Sequence, residues 1–329
     1  MDSATHVVMG LGLAGLATLD PAISSDPAAF QAVMLGTVIG SSIPDIDASL
    51  KLKSNAMFIR NHRGMTHSLP ATLLWPLAIT SCLLPIFPEA NITHLLSWTL
   101  LAVFLHVFVD IFNAYGTQAV RPFTGKWIAF GIINIFDPFI FSLHLMGLVL
   151  WQMGANPGVT FAVIYAILAA YYVWRTVYHH RTIRRIKEEL PGVKKVYLSP
   201  TLRWSHYHMA AESSDRFYVG KIEGTKLNLI DTFDRRPIDF ENAIVKAAVR
   251  DKNVRAFLSL SPIYRWKLMQ QKGRYVLQFV DLRYFAKGTY PFTATVWLSK
   301  DLSVQSSFTG WVYSERKLKK KMAVAQSKS

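Results

Sequence analysis

The sequence predicts an α-helical membrane bundle of about six spans, followed by a cytoplasmic α+β domain that is mostly antiparallel. Three observations lead there. Charge is divided unevenly: residues 1–177 hold 7 Lys/Arg and 8 Asp/Glu, residues 178–329 hold 29 and 13, so a part of net −1 precedes one of +16. The first part contains apolar runs of membrane length, which takes about 20 residues. Past residue 195 the pattern changes to short β-rich runs separated by turn residues. An apolar half fused to a basic half is the mark of an integral membrane protein with a soluble domain on one side.

Four runs are long enough to cross a bilayer: 68–88, 94–115, 129–151 and 158–177. Two shorter ones, 4–19 and 29–43, flank the polar stretch LDPAISSDPA and are expected to pack as a hairpin inside the bundle. The N-terminal MDSATHVVMG has no basic n-region or small-residue cleavage site, so the first helix is expected to stay. With the N-terminus inside, the inner connections carry Lys51, Lys53, Arg60, Arg63, Arg121 and Lys126. The outer ones carry Asp20, Asp26 and Glu89 and neither Lys nor Arg. Positive charge is retained on the cytoplasmic side, which predicts that both termini are cytoplasmic.

Residues 178–195 read as a basic linker helix ended by PGVKK. The domain 196–314 offers strands in RWSHYHMAA, RFYVGKIE, KLNLIDTF, YRWKLMQ, RYVLQFVDLRYF, TATVWLS and SFTGWVYS, a hairpin turn at QQKGRY, and one helix in FENAIVKAAVRDKNVRAFLSL. The basic tail 315–329 is expected to be disordered. The single cysteine, Cys82, excludes an intramolecular disulfide and a cysteine-based zinc site.

Ionisable residues inside a membrane half are costly, so each is a candidate for function. They are His6, Asp45 and Asp47 in SSIPDIDASL, His62 and His67 in NHRGMTHS, His106 and Asp110 in FLHVFVDIF, and Asp137 in NIFDPF. All fall in the cytoplasmic half of the predicted bundle, with His106 and Asp110 expected about ten and six residues before the end of their span, roughly 15 and 9 Å deep. His106 and Asp110, four apart, share one helix face. Histidine and carboxylate ligands without cysteine suit Zn²⁺, or else Mn²⁺ or Fe²⁺, better than Ca²⁺ or Mg²⁺. So many ligands exceed the needs of one ion, and two are expected, an arrangement that lowers the pKa of water and clamps phosphoryl oxygens. The competing readings are ordinary ones: His6 as a residue near a helix start, Asp45 and Asp137 as caps, His106 with Asp110 as a buried hydrogen-bonded pair. Arg60 and Arg63 read as positive-inside charges or, with Lys126, as holders of a substrate phosphate.

MDSATHVVMG, PDID, NHRGMTHS, the HVFVD helix with NAYGT after it, and FDP together resemble the LexA-regulated, membrane-bound metal-dependent hydrolases of bacteria. The resemblance covers residues 1 to about 177. It implies a multi-pass membrane protein with a hydrolase site built from Asp45, Asp47, His62, His67, His106 and Asp110, of which Asp45, His67 and Asp110 are the expected catalytic core.

The substrate expected on these grounds is a phosphoester, lipid or lipid-linked, at the cytoplasmic face. The net +16 of the second half is expected to meet the anionic inner leaflet, which attracts each Lys or Arg by about 1 kcal/mol near its surface. Nucleic acid is not favoured, because no recognition helix, aromatic RNA-binding pattern or zinc finger is present. The alternative is a non-catalytic regulatory protein in which a structural metal steadies the bundle and the basic domain binds a partner or DNA.

Overall fold

The computed structural model describes residues 1–271 and 273–326. The chain forms two compact units: Met1–Asp47 with Arg63–Arg181, and Ala48–His62 with the chain from Thr182 onward. The second unit thus recruits a short segment from within the first, which no sequence pattern announced.

The first unit begins with α1 (Ser3–Ala17), the single turn α2 (Pro21–Ser24) and α3 (Pro27–Gly40). Each starts where a preceding aspartate, Asp2, Asp20 or Asp26, accepts hydrogen bonds from the first free N–H groups. A 3₁₀ stretch, Ile43–Leu52, follows at a 43° bend. After α4 (Asn55–Asn61), which belongs to the second unit, come a 3₁₀ turn Met65–His67, α5 (Leu69–Leu83), α6 (Ile92–Ile111), α7 (Pro138–Gln152) and α8 (Pro157–Glu189). An apolar helix lies at each of the six predicted runs. Among the described residues, α6 and α8 are long and apolar enough to cross a membrane, and α3 with its bent continuation makes up to a third. α1, α5 and α7 are apolar helices of 15 residues. Close approach holds the bundle together: Gly15 of α1 and Gly147 of α7 face the Phe161 ring of α8, where any Cβ would stand within 3 Å of it.

α5, α6 and α7 are shorter than their predicted runs, the last two for clear local reasons. α7 starts at Pro138 and not at 129, because Asp137 accepts from the N–H groups of Phe139 and Ile140 and Pro138 occupies the first turn. α6 stops at Ile111, because the Asn113 side chain accepts from the N–H groups of Tyr115 and Gly116 and starts a turn. His106 and Asp110 therefore stand five residues and one residue before the helix end, roughly 8 and 2 Å along the axis and not 15 and 9 Å.

Residues between α6 and α7 form an irregular segment pinned by a two-way bridge between Thr117 and Ile128. Gly116 makes it possible, with φ +68° and a position where a Cβ would lie 1.9 Å from the Ile128 carbonyl oxygen. Gly116→Ala is expected to lower stability by about 3 kcal/mol or more, read as a fall in melting temperature in detergent. Gly154→Ala, at φ +90° with nothing within 4 Å, serves as the control and should cost only about 1 kcal/mol.

The second unit contains two four-stranded antiparallel sheets. One has the order β1 (Lys195–Pro200), β2 (His206–Glu212), β3 (Arg216–Glu223), β4 (Lys226–Asp234). The other has the order β5 (Tyr264–Gln271), β6 (Arg274–Asp281), β7 (Phe292–Leu298), β8 (Val304–Trp311). Gln271 pairs with Arg274 around Gly273 at φ +75°, where a hairpin was expected; Lys272 lies outside the described residues. The one predicted helix is two, α9 (Ala243–Arg250) and α10 (Lys252–Leu260). Asp251 separates them, its backbone extended and its carboxylate accepting from the N–H groups of Asn253 and Val254. Both helices pack on the second sheet through Val245, Ala248, Val254 and Phe257, against Leu277, Phe279 and Phe292. Ala56 and Ile59 of α4 join the same core, and Asn55 donates to the Thr309 carbonyl at 3.2 Å.

The tail, expected to be disordered, forms α11 (Glu315–Gln326). Its Met322 is fully buried and the Met322 carbonyl accepts from Ser306. One apolar anchor in a run of lysines is a weak sequence signal, and it was missed. Residues 327–329 lie outside the described residues.

Candidate metal centre

Four side chains from three separate stretches converge in the first unit. Asp45 comes from the 3₁₀ stretch after α3, His67 from the turn before α5, and His106 and Asp110 from α6. One ligand atom from each lies within 4.8 Å of every other. His67, His106 and Asp110 are completely buried. The two Nε2 atoms of His67 and His106 face each other at 3.1 Å. Asp45 Oδ1 lies 3.5 and 3.8 Å from them, and Asp110 Oδ2 lies 3.5 and 3.7 Å from them.

The other nitrogen of each ring fixes its state. His106 Nδ1 is 2.6 Å from the Ser41 carbonyl oxygen, which can only accept, so the proton sits on Nδ1. His67 Nδ1 is 3.1 Å from Thr66 Oγ1, whose own proton goes to Asp47 Oδ2 at 2.5 Å, so here too Nδ1 carries the proton. Both Nε2 atoms then present lone pairs to one another. Burial lowers the pKa of the His67 imidazolium, outweighing its contact with Asp45, and favours the neutral ring a metal requires. Two opposed lone pairs beside two carboxylate oxygens, Asp45 Oδ1 and Asp110 Oδ2, form a group that could hold a metal ion, with the Arg63 guanidinium 3.2 Å from Asp110 Oδ2 at its side. Two imidazoles and two carboxylates suit a divalent transition metal, and Ser41, Thr66 and Asp47 orient the rings in the usual way of outer ligands.

The family model for the YdjM inner membrane protein matches residues 1–182, the whole of the helical part that carries this cluster. The chain belongs to the YdjM inner membrane protein family. The match agrees with a membrane-bound family segment ending near residue 177. Beyond it, residues 191–233 match the YfhP middle domain and residues 243–322 the YfhP C-terminal alpha/beta plait domain. The uncharacterized protein YfhP of Bacillus subtilis (strain 168) is 50% identical over 323 residues, covering 98% of each chain. No solved structure matches the chain.

In this YdjM-family chain the remaining candidates have the following surroundings. His6, on α1, stacks on the His106 ring with centroids 3.7 Å apart and stands 3.4 Å from Asp110 Oδ1, the oxygen turned away from the two facing histidines. The Met1 amino group meets both His6 Nε2 and Asp110 Oδ1. Asp47 accepts from Arg63 N–H at 2.9 Å as well as from Thr66, and so supports the loop beside the cluster. His62 belongs to the second unit, where it caps α4 and stacks on Phe58 at 4.5 Å. Asp137 caps α7 and accepts from the Tyr171 hydroxyl at 2.8 Å, outside the four-residue group.

Of the three expected phosphate holders, Arg60 is exposed on α4 in the second unit and Lys126 is exposed in the segment before α7. Arg63 is buried. Its Nε lies 3.2 Å from Asp110 Oδ2 and its Nη2 donates to the Met1 carbonyl at 2.9 Å, so it counters the carboxylate charge inside the protein. Arg63 also has φ +61°, a conformation rare for a side-chain-bearing residue and found where surrounding contacts enforce it. Sequence reasoning missed Thr66 and Ser41. Thr66 had a signal in its position next to His67, whereas Ser41 contributes a backbone carbonyl and had none.

Proposed function

We propose that this protein is a metal-dependent hydrolase embedded in the bacterial plasma membrane, acting on a phosphoester of a lipid or lipid-linked substrate at the cytoplasmic face. The observation that carries the reading is the pair of facing Nε2 lone pairs on His67 and His106, with Asp45 and Asp110 oxygens beside them. Asp45, His67, His106 and Asp110 would hold the ion, zinc by preference and manganese or iron as substitutes. When bound, the ion supplies a Lewis acid and lowers the pKa of water. Two ions, as the number of candidate ligands led one to expect, stay part of this proposal, with Asp47 held by Arg63 and Thr66 through Oδ2. Arg63 offsets the charge of Asp110 and holds its carboxylate in place. Asp45 is the least buried of the four, its side chain 15% exposed where the other three are fully buried. Turnover is tested with purified zinc- or manganese-loaded protein and phosphatidic acid, reading phosphate release. Release by the wild type and none by His106→Ala is the expected result. Stoichiometric metal without turnover of any lipid phosphoester would instead favour a structural metal.

The substrate side follows from the orientation proposed for the bundle, with six crossings and both termini cytoplasmic. α1, α5 and α7, at 15 residues each, reach about 22 Å. That is shorter than a hydrocarbon core of about 30 Å, so flanking residues or local thinning must complete these crossings. The basic second unit would then lie against the anionic inner leaflet. A reporter active only outside the cytoplasm should be silent when fused after Ser329 and active when inserted at 89–93. The opposite pattern would place the metal centre on the outer side and remove the cytoplasmic substrate.

A further inference from the structure

The helical unit holds a second feature next to the metal cluster. A cavity of about 460 Å³ lies among α1, α6, α7 and α8, walled by Met9, Leu105, Phe112, Ile140, Leu168 and Tyr172. Its size is that of a small-molecule site, and its lining contains no Lys, Arg, Asp or Glu. Met1 forms part of the wall and joins the cavity to the cluster, since its amino group pairs with Asp110 and its carbonyl accepts from Arg63.

The other decisive residue is His144 on α7, which lines the cavity and is 1% exposed. Its Nδ1 lies 2.8 Å from the Ile140 carbonyl of its own helix, which can only accept. The proton therefore sits on Nδ1, and Nε2 is a bare acceptor. Nε2 has no hydrogen-bond partner among the described residues. The neighbouring Tyr165 hydroxyl does not supply one, because it donates to the Met9 carbonyl at 2.9 Å. A buried acceptor without a donor is unfavourable, so the occupant that suits this cavity brings an O–H along with its hydrocarbon. A hydrocarbon alone leaves the imidazole unmet, and a free phosphate finds no cationic side chain in the wall.

We propose that this cavity binds a long-chain lipid alcohol, with its hydrocarbon among α6, α7 and α8 and its hydroxyl donating to His144 Nε2. The proposal deepens the hydrolase reading and takes its biological meaning from it. Hydrolysis of a lipid phosphoester breaks a P–O bond, the hydroxyl of water goes to phosphorus, and the remaining proton ends on the lipid oxygen. The released lipid is then an alcohol, the chemistry that His144 accepts.

The test uses the full chain in detergent and a long-chain alcohol carrying a diazirine, with crosslinked residues located by mass spectrometry. Saturable labelling within 105–112, 140–144 and 165–177 is expected, and hexadecanol should compete at least about tenfold better than hexadecane. His144→Phe, which keeps a ring and removes the acceptor, should erase that preference, and Ala169→Trp should block labelling. No saturable labelling in these segments overturns the proposal. Equal competition by hexadecanol and hexadecane in the wild type also overturns it, leaving only an annular lipid. Metal content and phosphate release are measured on the same preparations. Labelling without metal would sink the hydrolase reading and keep the cavity, whereas metal and turnover without labelling would sink the cavity alone.

Discussion

Replacing His67 or Asp110 by alanine will empty the metal centre without unfolding the bundle. Purified wild type should carry stoichiometric zinc or manganese, and either variant less than about a tenth of that, measured by elemental analysis. The four groups act as one unit. Removing a ring takes away one ligand and leaves the opposite Nε2, 3.1 Å away, without its share of the cation. Removing Asp110 also strips the negative charge that Arg63 and the Met1 amino group now face, leaving buried positive charge around a site meant for a cation. His94→Ala and His206→Ala serve as controls and should keep their metal: His94 pairs with Asp20, and His206 lies on β2. Thr66→Val separates ligand from support, since it leaves all four ligands but frees the His67 ring, and affinity should fall by about 10–100-fold. Equal metal content in wild type, His67→Ala and Asp110→Ala would refute the metal centre.

The histidines and aspartates of this site could be found in the sequence because polar groups in an apolar setting are expensive. His106 and Asp110 stand out against FLHVFVDIF for that reason, and their spacing alone places them on one face. What orients them was hidden. Ser41 acts through a carbonyl that every residue possesses, so no side-chain pattern points to it. Arg63 read as a positive-inside charge or a phosphate holder, and only its burial against Asp110 reveals a different task. The apolar helices were legible as hydropathy, but their ends were not. Asp137 and Asn113 cap or turn the chain through short-range hydrogen bonds, and these outweigh the apolar character of residues 129–136. The grouping of Ala48–His62 with the second unit rests on Ala56 and Ile59 in its core and on the bond of Asn55 to Thr309, long-range in sequence and invisible to any local pattern.

In the second unit the largest loss of stability should follow Asp281→Ala. Asp281 ends β6, fully buried, and Arg283 folds back on it: Nη2 donates to Oδ2 at 2.7 Å, Nε lies 3.1 and 3.2 Å from the two oxygens, and the backbone N–H of Arg283 donates to Oδ1 at 2.9 Å. The remaining reach of the guanidinium goes to the Leu260 carbonyl at 3.0 Å, tying the end of α10 to the sheet. Arg283 is itself 5% exposed, so truncating the aspartate leaves a buried charge without the carboxylate that now faces it. Breaking one side of a buried pair costs about 3–5 kcal/mol, whereas replacing both members with apolar groups is often neutral. Asp281→Ala should therefore lower the denaturation midpoint of this unit by an amount in that range, and the double variant Asp281→Leu, Arg283→Met should regain most of it. If the double variant is as unstable as the single one, the geometry of the β6 end and not the uncompensated charge sets the cost. If Asp281→Ala is within about 1 kcal/mol of the wild type, the pair is not buried in solution as it is here.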